Sequence, residues 1–187
     1  MSDRRARLRE LLLEKSYIHR PEKPFTLASG RQSPTYINCR PVSFHAEGMN
    51  LIGEILFDRI RGLGVQAVGG MTMGADPIAH AVSLISFQRG APIHSFSVRK
   101  QAKEHGVNRT GGVEGAAVPG HRVVVIDDVI TTGGSTIQAI DAAEAFGLEV
   151  VRVLVLVDRE EGGRENIRAR LPGVDVESVF TLQELRT

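Results

Sequence analysis

The spacing of hydrophobic residues divides the chain into alternating helices and strands. Apolar residues three or four positions apart predict four amphipathic helices, at residues 3–15, 47–61 and 135–146, and one that begins at about residue 76. Gly62 and Gly147 follow two of these helices and are expected to end them. At the start of the remaining helix, Asp76 is expected to act as the cap, and Pro77 to occupy the first turn.

Short runs rich in apolar residues lie between the predicted helices and are predicted to form strands, and the run Arg122–Ile126 suits a strand that is buried on both faces. The runs are Val65–Val68, Ile93–Val98, Arg122–Ile126, Val150–Val157 and Val176–Leu182. Strands that alternate with helices predict βαβ units and a mainly parallel central sheet flanked by helices. Because no repeat, low-complexity tract or linker interrupts the pattern, we expect residues 1–187 to form one α/β domain. About residues 1–45 would form a small N-terminal addition to it.

The composition is that of an ordinary globular protein and argues against several classes. Of 187 residues, 42% are hydrophobic and 24% are charged, which is typical of a folded domain. The net charge of +1 provides no overall field that would attract nucleic acid or a membrane surface, so an anion site must be local. The single cysteine, Cys39, cannot form an internal disulfide, and no secretion signal or membrane-spanning run is evident. We therefore expect a cytoplasmic protein.

The segment VVVIDDVITTGGS, residues 123–135, carries the clearest chemical signal. Its apolar strand is predicted to stop at Asp127 and Asp128, and a loop of small residues then opens a helix. Ligands of parallel sheets bind beyond the carboxyl ends of the strands, and N–H groups at such a helix start favour phosphate. Two carboxylates beside a phosphate suit a polyhydroxylated, metal-bound ligand. A solvated acidic turn is the alternative. A P-loop does not fit because no lysine follows Gly134, and no GxGxxG motif is present.

A cluster of basic side chains occupies residues 99–109. One acidic residue accompanies its basic members, which are Arg99, Lys100, Lys103, His105 and Arg109. A solvated loop is the ordinary interpretation of such a run. Beside a phosphate site, however, a cationic lid would stabilise the growing negative charge of a leaving pyrophosphate and would exclude water.

These two segments resemble a known family. VVVIDDVITTGGS is similar to the phosphoribosyl pyrophosphate signature of the type I phosphoribosyltransferases, and R-K-x-x-K-x-H-G is similar to the flexible catalytic loop of the orotate phosphoribosyltransferases. The resemblance implies the type I phosphoribosyltransferase fold, with a small N-terminal hood, and a homodimer in which residues 99–109 reach the neighbouring subunit's site. It implies that Asp127 and Asp128 face the ribose hydroxyls and the metal. The rest of the phosphoribosyl pyrophosphate segment would be Val129, Ile130, Thr131, Thr132, Gly133, Gly134 and Ser135, of which the last five hold the 5′-phosphate.

The resemblance also implies where the base binds. The segment FTLASGRQSPTYINCR is similar to the family's N-terminal substrate segment. In it, Ser29 and Gly30 would offer backbone groups to orotate, and Tyr36 would wall the pocket; core packing is the alternative for Tyr36. Arg159, in VLVDREEGG, is similar to the arginine that contacts orotate, and Thr131 would help to orient the base. The planar fork of an arginine suits a carboxylate.

Some features depart from the family pattern or have another interpretation. For Arg159, the alternative is a surface ion pair with Glu160 or Glu161. Some family members have lysine where Ala28 stands. Residues 69–77, GGMTMGADP, are similar to the loop that cups pyrophosphate, yet they lack the lysine found in several relatives.

The resemblance implies a reaction and a cofactor. Orotate would take the ribose 5-phosphate group from phosphoribosyl pyrophosphate, giving orotidine 5′-monophosphate and pyrophosphate, in pyrimidine biosynthesis. Mg²⁺ would arrive with the phosphoribosyl pyrophosphate and touch the protein through water and Asp128. Lys103, with Arg99, Lys100 and His105, would close over the leaving pyrophosphate. The alternatives are a type I phosphoribosyltransferase for a purine, xanthine or uracil, and a regulator that senses phosphoribosyl pyrophosphate. Residues 1–24 are too short for the helix-turn-helix domain of such a regulator.

Overall fold

A six-stranded sheet between two groups of helices forms the centre of the computed structural model, which describes residues 3–26, 32–99 and 112–186. Within these ranges the helices are α1 (Asp3–Lys15), α2 (Arg40–Ser43), α3 (Ala46–Ile60), α4 (Asp76–Gln88), α5 (Gly134–Ala145), α6 (Gly163–Arg170) and α7 (Leu182–Arg186). The strands are β1 (Tyr17–His19), β2 (Phe25–Thr26), β3 (Gln32–Ser33), β4 (Thr35–Ile37), β5 (Ala67–Met71), β6 (His94–Val98), β7 (Val113–Gly115), β8 (Arg122–Ile130), β9 (Glu149–Asp158) and β10 (Asp175–Thr181).

The central sheet has the strand order β10-β9-β8-β5-β6-β7, and every neighbouring pair is parallel except β6 and β7. This confirms the mainly parallel α/β architecture. The antiparallel edge strand β7 is an element for which the sequence analysis predicts no strand. It escapes the sequence pattern because only Val113 of its three residues is buried. The pairs β1–β4 and β2–β3 form two small sheets of their own in the N-terminal part of the chain.

Residues of β8 alternate between two hydrophobic cores, one on each face of the sheet. Val124 and Ile126 pack with α1, α3 and α4, whereas Val123 and Val125 pack with α5 and α6. Because both faces are covered, the strand reads as a continuous apolar run, as predicted. None of the helices in the described ranges is both long and apolar enough to cross a membrane.

Several element boundaries differ from the prediction. The strand β5 continues through Gly69 and Gly70 to Met71, because it pairs with β6 over all five of its residues. The strand β8 does not stop at its acidic pair but continues to Ile130, which pairs with Asp158 of β9. The short helices α2, α6 and α7 were not predicted, since each buries only two residues.

Asp76 is the first residue of α4 and not its cap. The residue before the helix is Ala75, which makes no side-chain capping bond. The carboxylate of Asp76 instead accepts a hydrogen bond from the Ser97 hydroxyl on β6, at 2.7 Å. The side chain therefore links the helix to the sheet.

Candidate active site

The acidic pair lies within β8, near its carboxyl end. Asp127 is 7% exposed, and its Oδ2 accepts a hydrogen bond of 2.6 Å from the hydroxyl of Thr136, which is 1% exposed on α5. The Asp127 Oδ1 accepts from the backbone N–H of Asp128 at 3.0 Å, and the Asp128 Oδ1 accepts from the N–H of Val129. Among the described residues, no backbone N–H group and no hydroxyl donates a hydrogen bond to the Asp128 Oδ2.

Burial dominates the electrostatics of the pair. It raises the pKa of Asp127 from 3.8 to about 7; the Thr136 hydrogen bond opposes this shift, and repulsion from Asp128 adds to it. Burial also raises the pKa of Asp128, against the hydrogen bonds that it accepts and the positive charge of Arg40. Cations or hydroxyl donors at this position would stabilise the ionised form of both groups. The buried thiol of Cys39 lies 3.8 Å from the backbone carbonyl oxygen of Asp128, and burial raises the pKa of this thiol.

A cavity of about 250 Å³ opens directly after β8. It is lined by Asp127, Val129, Ile130, Thr131, Thr132, Gly133, Gly134, Ser135, Thr136 and Gln138. Gly133 has φ of +81°, a conformation that glycine adopts without strain. Within the described ranges no backbone hydrogen bond uses the N–H of Thr131, Thr132 or Gly133 as donor. These N–H groups, together with the first turn of α5, are arranged as in a site for an anion, and residues 131–135 are referred to below as the anion-binding loop.

The helix α6 supports this loop from behind. A Cβ added at Gly163 would come within 2.5 Å of the carbonyl oxygen of Thr131, so the two backbones touch. The side-chain amide of Asn166 donates to the carbonyl oxygen of Thr132 at 3.0 Å. The sequence pattern did not identify these supporting residues, because Ile167 is the only hydrophobic side chain that α6 buries. In the sequence, the adjacent glycines Gly162 and Gly163 were the one sign that two backbone segments approach closely here.

The segment GGMTMGADP begins inside β5 and passes beside the acidic pair. A Cβ at Gly69 or Gly70 would collide with backbone carbonyls of the neighbouring strands β6 and β8. A Cβ at Gly74 would collide with the carboxylate of Asp128. The peptide bond between Thr72 and Met73 is cis. The structure thus brings this loop to the edge of the sheet where Asp128 lies.

Arg159 lies beyond β9 at the same edge, where its backbone N–H donates to the carbonyl oxygen of Ile130 at 3.0 Å. The residue is 5% exposed. Its Nε donates to Glu161 at 2.8 Å, and both terminal nitrogens donate to the carbonyl oxygen of Thr35 at 3.3 Å. One of them also donates to the hydroxyl of Ser33 at 3.2 Å. The ion pair between Arg159 and Glu161 that the alternative interpretation named therefore exists. It is buried, however, and does not lie on the surface.

The other predicted base-site residue in the described ranges is Tyr36, on β4. Its side chain is not in the core, because the residue is 40% exposed and stacks on the ring of Phe25 with a centroid distance of 5.3 Å. Its neighbour Thr35 is fully buried and points to the other side of the strand. The predicted residues Ser29 and Gly30 lie outside the described residues.

Of the predicted cationic lid, the described residues include only Arg99, which follows β6. Its guanidinium donates to Glu114 on β7 at 3.1 Å, in an exposed ion pair. Lys100, Lys103 and His105 lie outside the described residues.

The described residues contain no group of three or more His, Cys, Asp or Glu side chains that could hold a metal ion. Asp128 nevertheless offers one carboxylate oxygen beside the anion-binding loop. This donor set fits a hard cation whose remaining oxygen ligands come from a bound substrate and water. It does not fit a metal held by the protein alone.

Comparison with known proteins assigns the family. A model of the phosphoribosyl transferase domain matches residues 49–174. The orotate phosphoribosyltransferase of Aquifex aeolicus is 42% identical over 181 residues, which are 97% of each chain. That of Sorangium cellulosum is 42% identical over 96% of this chain and 92% of the relative.

Solved structures agree with these relatives. A crystal structure of Mycobacterium tuberculosis orotate phosphoribosyltransferase in complex with Fe(III) dicitrate superposes with a TM-score of 0.83 at 38% identity, covering 98% of this chain and 99% of that one. Another, in complex with 5-phospho-alpha-D-ribosyl 1-diphosphate, has a TM-score of 0.77 at 32% identity, over 99% and 93%. The type I phosphoribosyltransferase fold is thereby confirmed, and the chain belongs to the orotate phosphoribosyltransferase family.

Proposed function

We propose that this chain transfers the ribose 5-phosphate group of phosphoribosyl pyrophosphate to orotate, releasing pyrophosphate and forming orotidine 5′-monophosphate. The observation that carries the proposal is the juxtaposition at the end of β8. There, the buried Asp127 and the half-buried Asp128 adjoin an anion-binding loop, and Asp127 and this loop line a cavity of about 250 Å³. On this family's fold, such a site suits a sugar that carries both hydroxyls and phosphate.

The 5′-phosphate would lie in the loop from Thr131 to Ser135, held by backbone N–H groups and by the positive end of α5. Asp127 and Asp128 would accept hydrogen bonds from the two ribose hydroxyls. Ionised carboxylates at this position stabilise the positive charge that develops on the sugar as its bond to pyrophosphate breaks. Burial raises the pKa of Asp127, and hydroxyl donors of the bound sugar would stabilise its ionised form.

Mg²⁺ is the proposed cofactor, contacting the protein through water and the Asp128 Oδ2. When bound, it would neutralise negative charge on the pyrophosphate oxygens and so improve the leaving group. The loop containing Gly74 runs against Asp128 and would offer backbone N–H groups to the same pyrophosphate. Lys103, with Arg99, Lys100 and His105, would complete the cationic environment of the leaving group.

The base would bind between Arg159 and the N-terminal segment. Arg159 already joins these regions, because it donates to the carbonyl oxygen of Thr35. Residues 1–45 would thus act as a hood over the base, with Ser29 and Gly30 offering backbone groups and Tyr36 walling the pocket. Thr131 would help to orient orotate so that its ring nitrogen attacks the anomeric carbon.

We propose a homodimer in which residues 99–109 of each subunit reach the other subunit's site. An apolar surface on α4 supports an association of this kind, since Leu84 is 57% exposed and Phe87 is 73% exposed. A cavity of about 360 Å³ next to these side chains extends to Pro92 and the start of β6. A second copy of the chain would remove this surface from water.

The test is an assay of purified protein with phosphoribosyl pyrophosphate, Mg²⁺ and one base at a time. We expect the near-ultraviolet absorbance of orotate to fall, while adenine, xanthine and uracil are not consumed. Asp128→Asn should lower the rate roughly 10²-fold, whereas Asp3→Asn, at an exposed position on α1, should not. Consumption of another base in place of orotate would refute the substrate. Binding of phosphoribosyl pyrophosphate without turnover of any base would favour a regulator.

A further inference from the structure

The guanidinium of Arg159 is almost entirely committed to acceptors within the protein. The carbonyl oxygen of Thr35 and the hydroxyl of Ser33 occupy its two terminal nitrogens, and Glu161 occupies its Nε. The side chain of Arg159 is only 3% exposed. An arginine fork binds a carboxylate with two parallel N–H donors. The carboxylate of an incoming base can therefore reach this fork only if one of these acceptors is released.

Of the acceptors that contact Arg159, Glu161 is the one with a carboxylate oxygen left without a hydrogen bond. Its Oε1 contacts the Arg159 Nε at 2.8 Å, but its Oε2 is buried and has no hydrogen-bond partner among the described residues. A desolvated carboxylate oxygen without a donor is unfavourable. The Thr35 carbonyl, in contrast, belongs to a fully buried residue of β4 whose hydroxyl also accepts from Arg186 at 3.1 Å. The Ser33 hydroxyl is also held by Thr35, since it donates to the Thr35 carbonyl oxygen at 2.9 Å and accepts from the Thr35 N–H at 3.2 Å. Of the three acceptors, Glu161 is the one that can leave.

The charges at this position support the same conclusion. Arg159 and Glu161 together are neutral, so with Glu161 in place the arginine offers little net attraction to an anionic base. Departure of Glu161 would expose an unpaired cation, which is stabilised only when another anion takes its place. The side chain of Glu161 is 18% exposed, and it precedes Gly162, which has φ of +88° and nothing within 4 Å of an added Cβ. The departing carboxylate is therefore already in partial contact with solvent, and nothing crowds the backbone at the following residue.

We infer that Glu161 is a specificity-determining residue: it is an internal stand-in for the substrate carboxylate, and only a base that brings its own carboxylate displaces it from Arg159. This inference rests on the proposed function. It explains how a base site can hold a buried arginine without leaving its charge unpaired. It also selects against pyrimidines such as uracil, which have no carboxylate to exchange for that of Glu161.

The test compares Glu161→Gln with the wild type and with Glu165→Gln, an exposed position on α6. The Gln side chain keeps a hydrogen-bond acceptor for Arg159 but removes the competing charge. We expect KM for orotate to fall roughly tenfold in Glu161→Gln, with KM for phosphoribosyl pyrophosphate unchanged. Glu165→Gln should match the wild type in both constants. Orotate should also raise the Tm of Glu161→Gln by more than it raises that of the wild type, a measurement that does not require turnover.

The outcomes separate this inference from other roles of Glu161. An unchanged or higher KM for orotate in Glu161→Gln would overturn it. If Glu161 only positioned Arg159, Glu161→Gln would behave as the wild type and Glu161→Ala would raise KM for orotate. Absence of orotate turnover by the wild type would instead reject the proposed function, and this inference with it.

Discussion

Asp127→Asn removes a buried carboxylate whose ionisation opposes folding. The pKa of this group is about 7 in the folded protein, mainly because of burial, against 3.8 when it is fully hydrated. A group whose pKa is raised by folding contributes stability that is complete below the lower value and is lost as the pH rises through the higher one. The wild type should therefore lose stability from this group between about pH 4 and pH 7.

The magnitude follows from the two pKa values. The interval from 3.8 to about 7 corresponds to about 4 kcal/mol at high pH. Asn cannot accept both hydrogen bonds that Asp127 accepts, from the Thr136 hydroxyl and from the Asp128 N–H, and losing one costs about 1 kcal/mol. Asp127→Asn should thus increase the free energy of unfolding by about 3 kcal/mol at pH 8, and by less than about 1 kcal/mol at pH 5.

Urea denaturation at pH 5 and pH 8, without phosphoribosyl pyrophosphate or Mg²⁺, measures both differences. The variant should be the more stable protein at pH 8 while losing turnover, because the ribose hydroxyls lose an ionised acceptor. Asp3→Asn serves as the control, and its difference from the wild type should not change with pH. A stability difference for Asp127→Asn that is the same at both pH values would refute the reasoning, since it would mean that Asp127 ionises normally.

Three further predictions concern other parts of the site. Lys103→Ala should lower kcat roughly 10²–10³-fold in steady-state assays if this side chain stabilises the leaving pyrophosphate, and a near-normal kcat would contradict that role. Gly133→Ala should raise KM for phosphoribosyl pyrophosphate roughly tenfold, because φ is +81° and the added Cβ would lie 2.9 Å from the Gly163 carbonyl. Gly173→Ala carries the same φ penalty without a clash, so its KM should stay normal. Phe87→Glu should shift sedimentation toward the monomer; an unchanged dimer would place the interface elsewhere.

The local pattern of the sequence was sufficient for the central parallel sheet and its four longer helices. Predominantly apolar runs such as Val150–Val157, in which Arg152 is the one polar residue, predicted the inner strands, because burial on both faces leaves few polar positions in them. The apolar stripe at Leu8, Leu11 and Leu12 predicted α1, and all three side chains are buried. The resemblance of residues 123–135 to a phosphoribosyl pyrophosphate signature identified the family, which the comparisons confirm. A motif whose residues are consecutive in the chain can be recognised without knowledge of the tertiary contacts.

Only the tertiary structure decided how those residues are paired and charged. The length of β8 depends on its pairing with β9, and the raised pKa of Asp127 depends on burial under α5. The support of the anion-binding loop depends on Gly163, which lies in a helix with almost no apolar pattern. Arg159 contacts Thr35, 124 positions earlier in the chain. No spacing rule predicts such a contact, because burial and hydrogen bonding between distant segments arise from how the layers pack.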